Sequence, residues 1–163
     1  MTITANDIKR LLVEKHSNKK RSMCPAGADL VVVEYKCGRS FNPDTRRQTP
    51  IMDVFAWQKH WEKPAGICYE VKISVSDFKQ DIARRKWESY IPYCNYFSFV
   101  TPNGLIQPED VPDIAGLMWV NSKGTGLITK KRPVFMEKKI PFSILDYILQ
   151  YRVKIINPGL VTS

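Results

Sequence analysis

The sequence predicts a mixed α/β fold in a single domain. Its 163 residues suffice for one sizeable core, and 44% hydrophobic against 25% charged residues is an ordinary balance for a globular protein. Short β-branched or alternating runs, typical of strands, are interleaved with segments whose apolar residues recur at helical spacing. No internal repeat, low-complexity tract or linker divides the chain, so we expect one domain over residues 1–163.

A helix is predicted first, at about residues 5–16. The stretch Thr4-Ala-Asn-Asp7 has the spacing of a capping box, with aspartate in place of the usual glutamate. Apolar residues then follow at helical spacing, and the polar run Asn18-Lys-Lys-Arg21 marks the expected end.

Three strands are predicted next, at about 29–37, 51–57 and 67–74. The first is rich in β-branched residues. Turn-forming residues in 37–44 separate it from the second strand, and the segment 59–66 connects the second to the third.

The second half of the chain alternates helices and strands. Its predicted elements are a helix at 76–90, a strand at 95–100, two short strands at 116–120 and 126–129, and a last helix at 141–151. Ser76 is a suitable N-cap for the first of these helices. The turn-forming run Asn121-Ser-Lys-Gly124 predicts that the two short strands form a hairpin.

Composition also indicates the compartment. No apolar run reaches the 18 or so residues of a membrane span, and the first residues lack the apolar core of a signal peptide. We therefore expect a cytoplasmic protein. The cysteines at 24, 37, 68 and 94 form no CxxC pair, so we expect no zinc finger and four reduced thiols.

The charge favours a polyanionic partner. With 25 Lys and Arg against 16 Asp and Glu, the net charge is +9, which suits the field around nucleic-acid phosphates. An acidic protein is an alternative partner for the same surface. The chain has no glycine-rich phosphate loop, so we expect no nucleotide cofactor, and its oligomeric state is not predicted.

The run ICYEVKIS places two charged residues in a predicted strand. Because side chains alternate between the faces of a strand, Glu70 and Lys72 share one face, about 7 Å apart. The preceding strand, IMDVFAW, carries Asp53 as an isolated carboxylate. If the two strands pair, Asp53 and Glu70 lie side by side and need a cation between them, and Mg²⁺ prefers such oxygens. Lys72 could then orient a water molecule or offset charge on the phosphate.

A plainer interpretation stays open from these residues alone. Alternating polar residues usually mark the solvated face of a sheet, where a Glu70–Lys72 ion pair contributes little to stability. The spacing D-x16-E-x-K is short and degenerate, so it does not choose between the two interpretations.

Longer runs carry a resemblance to a known family. Asp53 followed by Glu70-Val-Lys72 resembles the core motif of the PD-(D/E)xK nuclease superfamily. The runs EVKISVSDFKQD, KWESYIPYCNYFSFVTPNGLI, PEDVP and AGLMWV are similar, in that order, to the MmcB-like DNA-repair proteins and their phage-encoded relatives. The resemblance covers roughly residues 50–130, about half of the chain. One departure is the four residues between Asp81 and Lys86, which leave the role of Asp81 open.

The resemblance implies a restriction-endonuclease-like fold, in which helices flank a central mixed sheet of about four strands. We expect a β-hairpin and a C-terminal helix in addition. It further implies Mg²⁺-dependent (or Mn²⁺-dependent) cleavage of DNA, in repair or phage DNA processing. By position, Asp53 and Glu70 would be metal ligands together with the Val71 carbonyl, and Lys72 the catalytic lysine. The alternative is a catalytically inactive nuclease fold that serves as a DNA-binding module.

Further residues are candidates for supporting roles. Possible accessory site residues are Glu14, Ser74 and Lys86; possible DNA contacts are Lys79, Arg84, Arg85, Lys130, Lys131 and Arg132, with Arg46 and Arg47 also plausible. Each of these is also explained by a helix start or a solvated charge. The spacing of aromatic residues such as Trp87 and Tyr90 predicts core packing rather than base stacking.

Overall fold

The structure is a computed structural model. It describes residues 3–17, 29–37, 41–42, 47–60 and 62–151, without the side chains of residues 41–42, 47–48 and 149–151. Cys24, Arg46 and the predicted end of the first helix at 18–21 lie outside the described residues, as does the side chain of Arg47.

The secondary structure comprises three α-helices, two 3-10 segments and eight strands within the described residues. The helices are α1 (Ala5–Ser17), α2 (Val75–Ala83) and α3 (Phe142–Tyr151), and the 3-10 segments are Lys86–Tyr93 and Pro108–Asp110. The strands are β1 (Leu30–Lys36), β2 (Phe41–Asn42), β3 (Arg47–Gln48), β4 (Ile51–Gln58), β5 (Ala65–Val71), β6 (Tyr96–Thr101), β7 (Gly116–Val120) and β8 (Leu127–Lys131).

Six strands form one mixed sheet in the order β1-β4-β5-β6-β7-β8. The pairs β5–β6 and β6–β7 are parallel and the other pairs antiparallel, while β2 and β3 form a separate two-stranded ribbon. The mixed α/β class is confirmed. The sheet has more strands than the four or so expected, because the predicted hairpin β7–β8 joins it instead of standing apart. All but one residue of β7 are buried, as in an interior strand.

Helices cover both faces of the sheet. One face packs against α1 through residues such as Leu12 and Val54. The other packs against α2, the 3-10 helix Lys86–Tyr93 and α3, with Phe55 and Phe97 at its centre. The fold therefore has a helix–sheet–helix layering. None of the described helices combines the length and apolar character needed to cross a membrane.

The first helix follows its prediction. The Thr4 N–H donates to the Asp7 carboxylate at 3.1 Å, and the Asp7 N–H donates to the Thr4 hydroxyl at 3.2 Å. This reciprocal pair is the capping box that the sequence predicts, and it fixes where α1 begins.

Two boundaries near Glu70 differ from their predictions. The third strand ends at Val71 rather than at 74, because the Ser74 hydroxyl accepts the Asp77 N–H at 3.2 Å and caps α2 two residues before the expected Ser76. The helix predicted at 76–90 is interrupted after Ala83. Arg85 adopts a left-handed conformation (φ 54°), which an α-helix does not accommodate, and the chain continues as a 3-10 helix.

Candidate active site

The candidate site lies where β4 begins and β5 ends. These antiparallel strands pair up to Val54 and Tyr69, and the next opposed positions are Asp53 and Glu70. Instead of continuing the ladder, the Asp53 carboxylate accepts the backbone N–H of Val71 at 2.8 Å. Asp53 is thus held against the backbone of Val71, the residue that follows Glu70.

Glu70 is a buried carboxylate with two unlike oxygens. Its Oε1 accepts the ammonium groups of Lys72 at 3.2 Å and Lys86 at 3.1 Å. Its Oε2 is also buried but has no hydrogen-bond partner within the described residues. Burial raises the pKa of Glu70 and the nearby charge of Asp53 adds to the rise, while the two lysines oppose it. The prediction that Glu70 and Lys72 share a face is confirmed, and that face is buried rather than solvated.

Lys72 is enclosed by carboxylates. Its ammonium lies 2.7 Å from Asp81, 3.2 Å from Glu70 and 3.4 Å from Asp77, and its side chain is only 4% exposed. Burial alone would lower the pKa of Lys72, but the ion pairs with Asp81 and Glu70 outweigh it and raise the pKa above its ordinary value. Lys72 therefore stays protonated at neutral pH.

Asp81 connects Lys72 to the element that follows α2. Its side chain is 1% exposed, and while one oxygen pairs with Lys72, the other accepts the Trp87 N–H at 2.9 Å. Sequence reasoning left this residue without a role. The sequence could have indicated an ion pair with Lys72, since Asp77 and Asp81 stand four residues apart on one side of a helix that starts just after Lys72.

Tyr90 takes part in the site as well as in the core. The ring is fully buried, as predicted from its helical spacing. Its hydroxyl is a buried polar atom without a regular hydrogen bond in the described part of the chain. Burial raises the pKa of Tyr90, and the negative charge of Glu70 raises it further.

Helix α1 contributes a lysine to the site. The ammonium of Lys9 lies 3.0 Å from Asp53 and 3.3 Å from Glu34 on β1. Glu14, the predicted accessory acid, instead lies on the exposed side of α1, where it is 4.0 Å from Arg10. Helical geometry could have predicted this exposed position, because Glu14 is turned about 240° around the helix axis from the buried Ile8.

Lys86 reaches the site from the first position of the 3-10 helix. Its ammonium contacts Glu70 and lies 5.6 Å from the centre of the Tyr90 ring. Unlike Lys72, its side chain is 55% exposed. The predicted accessory role of Lys86 therefore has a direct contact to support it, whereas Ser74 is engaged as the α2 cap.

The predicted DNA contacts fall into two groups. Near the end of α2, Lys79, Arg84 and Arg85 are exposed, and Arg85 pairs with Glu88 at 2.6 Å. On and after β8, Lys130 lies over the Trp119 ring and Arg132 is exposed, whereas the Lys131 ammonium donates to the carbonyls of Val111 and Pro112. Contact with DNA stays a prediction for both groups.

The suitability of the site for a cation depends on its oxygens. Among the described residues, no group of three or more His, Cys, Asp or Glu side chains is placed to hold a metal ion. Mg²⁺, however, is commonly bound by one or two carboxylates, with water and substrate phosphate completing the shell. Asp53 and Glu70 meet that smaller requirement, and the unpartnered Glu70 Oε2 is an oxygen available for it. The donor set suits such an ion in its chemistry, but lysines hold the other Glu70 oxygen and Oδ1 of Asp53, and Oδ2 of Asp53 accepts the Val71 N–H.

Comparison with known proteins places the chain in a structural class. No protein-family model matches the sequence, and no curated protein matches it. Among solved structures, the chain is similar to SPO1766, a protein of unknown function from Silicibacter pomeroyi, with a TM-score of 0.62 at 15% identity over 93% of this chain and 86% of that one. At this identity the likeness concerns the fold alone, a mixed α/β fold with a six-stranded mixed sheet.

Proposed function

We propose that the protein is a metal-dependent nuclease that hydrolyses DNA phosphodiester bonds in DNA repair or phage DNA processing. The observation that carries the proposal is that, where β4 and β5 separate, Asp53 is held at the backbone of Val71 and two lysine ammonium groups contact the neighbouring Glu70. The four adjacent strands β1-β4-β5-β6, flanked by helices, agree with the restriction-endonuclease-like arrangement that the sequence resemblance implies.

The residues of the site have distinct tasks in this proposal. Asp53 and Glu70 would hold a divalent cation, with the unpartnered Oε2 as the donor from Glu70. The carbonyl of Val71 would be a further donor. When bound, such a cation polarises a phosphate oxygen and lowers the pKa of a coordinated water molecule. Burial and the charge of Asp53 raise the pKa of Glu70, and Lys86 and Lys72 oppose that rise, which favours the ionised carboxylate that cation binding requires.

The positive charge of the protein supports DNA as the substrate. A net charge of +9 attracts a polyanion, and the exposed Lys79, Arg84 and Arg85 lie in α2 and in the turn that leads from α2 to Lys86. Contacts from such residues neutralise backbone phosphates without reading base sequence. We therefore propose recognition of the DNA backbone with little sequence selectivity.

The test is cleavage of labelled single-stranded, duplex and branched DNA, with RNA for comparison, in Mg²⁺ or in EDTA. Asp53→Asn and Glu70→Gln keep the shape of each side chain and remove its charge, and we expect each to lower cleavage by at least about 100-fold. Glu62→Gln is the matched control, because Glu62 is an exposed acid in the loop at the other end of β5. Cleavage that survives EDTA, or that both site variants retain, would refute the proposal.

A second candidate has its own supporting observation. Lys9 pairs with Asp53, and Lys72 and Lys86 pair with Glu70, so the carboxylate charges are compensated by the chain itself. Such compensation suits a catalytically inactive nuclease fold that serves as a DNA-binding module. That candidate predicts DNA binding that weakens steeply with salt, is indifferent to EDTA and is accompanied by no cleavage.

A further inference from the structure

Two lysines contact the same oxygen of Glu70 from different surroundings. Lys72 follows β5 and its side chain is 4% exposed, whereas Lys86 begins the 3-10 helix and its side chain is 55% exposed. The distances to Glu70 Oε1 are nearly equal, at 3.2 and 3.1 Å. The difference between the lysines therefore lies in what else each ammonium can reach.

Lys72 has no capacity left for a substrate. An ammonium group has three donors, and three carboxylates surround this one, on Glu70, Asp77 and Asp81. Contact with a phosphate would require separation from Asp81, which would leave a buried charge unpaired. The enclosure instead holds Lys72 in one position against Glu70.

Lys86 has both capacity and access. It makes an ion pair with Glu70 and lies beside the Tyr90 ring, while more than half of its side chain faces solvent. The left-handed Arg85 redirects the chain immediately before it, so Lys86 begins the 3-10 helix with its ammonium at the carboxylate. A phosphate that approaches Glu70 from solvent meets Lys86 before it meets Lys72.

We propose that Lys86 is the residue that contacts the substrate phosphate, and that Lys72 is a positioning residue that fixes Glu70. The inference rests on the proposed function, because it assigns roles within the same site. It differs from the role that sequence resemblance implies for Lys72, and it follows from the exposure and ion pairs of the two side chains.

The experiment compares Lys86→Met with Lys63→Met, which removes the same charge from an exposed lysine in the loop at the far end of β5. Steady-state cleavage of a short duplex in Mg²⁺ gives kcat and KM. Equilibrium binding of the same duplex in EDTA at several salt concentrations counts phosphate contacts. For Lys86→Met we expect a KM raised about tenfold. We also expect the salt slope, which is the change of log K for binding with log salt concentration, to become shallower by about 0.9 for a duplex. Lys86→Arg should restore most of the parent's KM and salt slope, and Lys63→Met should keep the parent's values of both quantities.

The role proposed for Lys72 predicts the opposite pattern of kinetic and binding changes. Lys72→Met should lower kcat while KM and the salt slope stay at the parent values, since a positioning residue contributes no phosphate contact. Because Lys72 is buried, thermal denaturation must first show that the variant is folded, and Lys72→Gln is the second variant if it is not. A salt slope that becomes shallower in a folded Lys72 variant would overturn this assignment.

The outcomes separate the inference from the proposed function. If the parent cleaves DNA and Lys86→Met keeps the parent's KM and salt slope, Lys86 is not the phosphate contact and the nuclease proposal stands. If the parent binds DNA without cleaving it, the function becomes that of a binding module, and the salt slope alone decides the role of Lys86. If the parent neither binds nor cleaves DNA, both proposals fall together.

Discussion

At the scale of single residues, Asp81 shows how one buried carboxylate holds the site together. It pairs with Lys72 and accepts the backbone N–H of Trp87, so it connects the end of β5 with the start of the 3-10 helix. Removal of one partner of a buried ion pair is costly because the other charge is left uncompensated. The stability of the fold and the position of Lys72 therefore depend on the same side chain.

Asp81→Ala should lower the free energy of unfolding by about 3 kcal/mol or more, measured by urea denaturation. Asp77→Ala is the matched control, because Asp77 also pairs with Lys72 but its side chain is 53% exposed. An exposed ion pair contributes about 1 kcal/mol or less, so the control should lose little. Equal losses in the two variants would contradict the buried role of Asp81.

Strand geometry explains which residues of the site could be predicted from the sequence. Strand alternation suffices to place Glu70 and Lys72 on one face, and the hairpin register of β4 and β5 puts Asp53 opposite Glu70 in the sequence of strand positions. The enclosure of Lys72 by Asp77 and Asp81 depends on the angle at which α2 leaves β5, which no local pattern encodes. The contact of Lys9 with Asp53 likewise depends on how α1 packs against the sheet.

At the scale of elements, α1 is tied to β5 by a chain of polar side chains. The Nδ1 of His16 lies 2.8 Å from an Asp29 oxygen, and its Nε2 lies 2.9 Å from the hydroxyl of Tyr69 on β5. All three side chains are largely buried, and Lys15 contributes a nearby positive charge. Burial lowers the pKa of His16, although Asp29 opposes the shift.

This depressed pKa predicts a pH dependence of stability. The unfolded chain binds a proton on His16 near the ordinary pKa of about 6.5, while the folded chain binds it only at lower pH. The stability that neutral His16 contributes is therefore present above about pH 6.5 and is lost as the pH falls below it, by at most about 1.4 kcal/mol per pH unit.

Denaturation of the parent and of His16→Gln between pH 7.5 and pH 5 measures this contribution. The parent should lose stability more steeply than the variant as the pH falls, and the difference between the two curves should be flat above pH 7. A parent that gains stability on acidification relative to His16→Gln would contradict the direction of the pKa shift.

Strand β7 depends on a glycine for its packing. A Cβ added at Gly116 would lie 2.5 Å from the Ser98 hydroxyl oxygen and 2.7 Å from the Pro133 ring. Because backbone and ring atoms cannot move aside cheaply, Gly116→Ala should lower the free energy of unfolding by about 1–3 kcal/mol. Gly126→Ala is the control, since its added methyl approaches only the Asn121 amide, at 3.2 Å. A Gly116→Ala protein as stable as the control would argue against this packing of β7.

The elements themselves could largely be predicted; the ribbon β2–β3, in part within the predicted turn at 37–44, and the break after α2 were not. Periodicity and turn residues give α1, α3 and the strands of the large sheet within a few residues. The break after α2 was missed because apolar spacing continues smoothly from Phe78 to Tyr90. It arises from the left-handed Arg85 and from the capture of the Trp87 N–H by Asp81, neither of which changes the hydrophobic pattern.

At the scale of the whole molecule, strands from distant parts of the sequence form one six-stranded sheet. Sequence predicts the α/β class, but the addition of the hairpin to the sheet depends on parallel pairing of β7 with β6, which is a long-range contact. The molecule as a whole carries a net charge of +9, whereas the carboxylates of Asp53 and Glu70 are negative. In the proposed function, the positive net charge attracts the DNA backbone, and the two carboxylates hold the cation at the point of cleavage.

The most direct test of that central claim is the cleavage of labelled duplex DNA by the parent, Asp53→Asn and Glu62→Gln, each in Mg²⁺ and in EDTA. The account predicts that the parent and Glu62→Gln cleave in Mg²⁺ alone and that Asp53→Asn is at least about 100-fold slower. Equal cleavage by all three proteins, or cleavage by the parent that persists in EDTA, would contradict it.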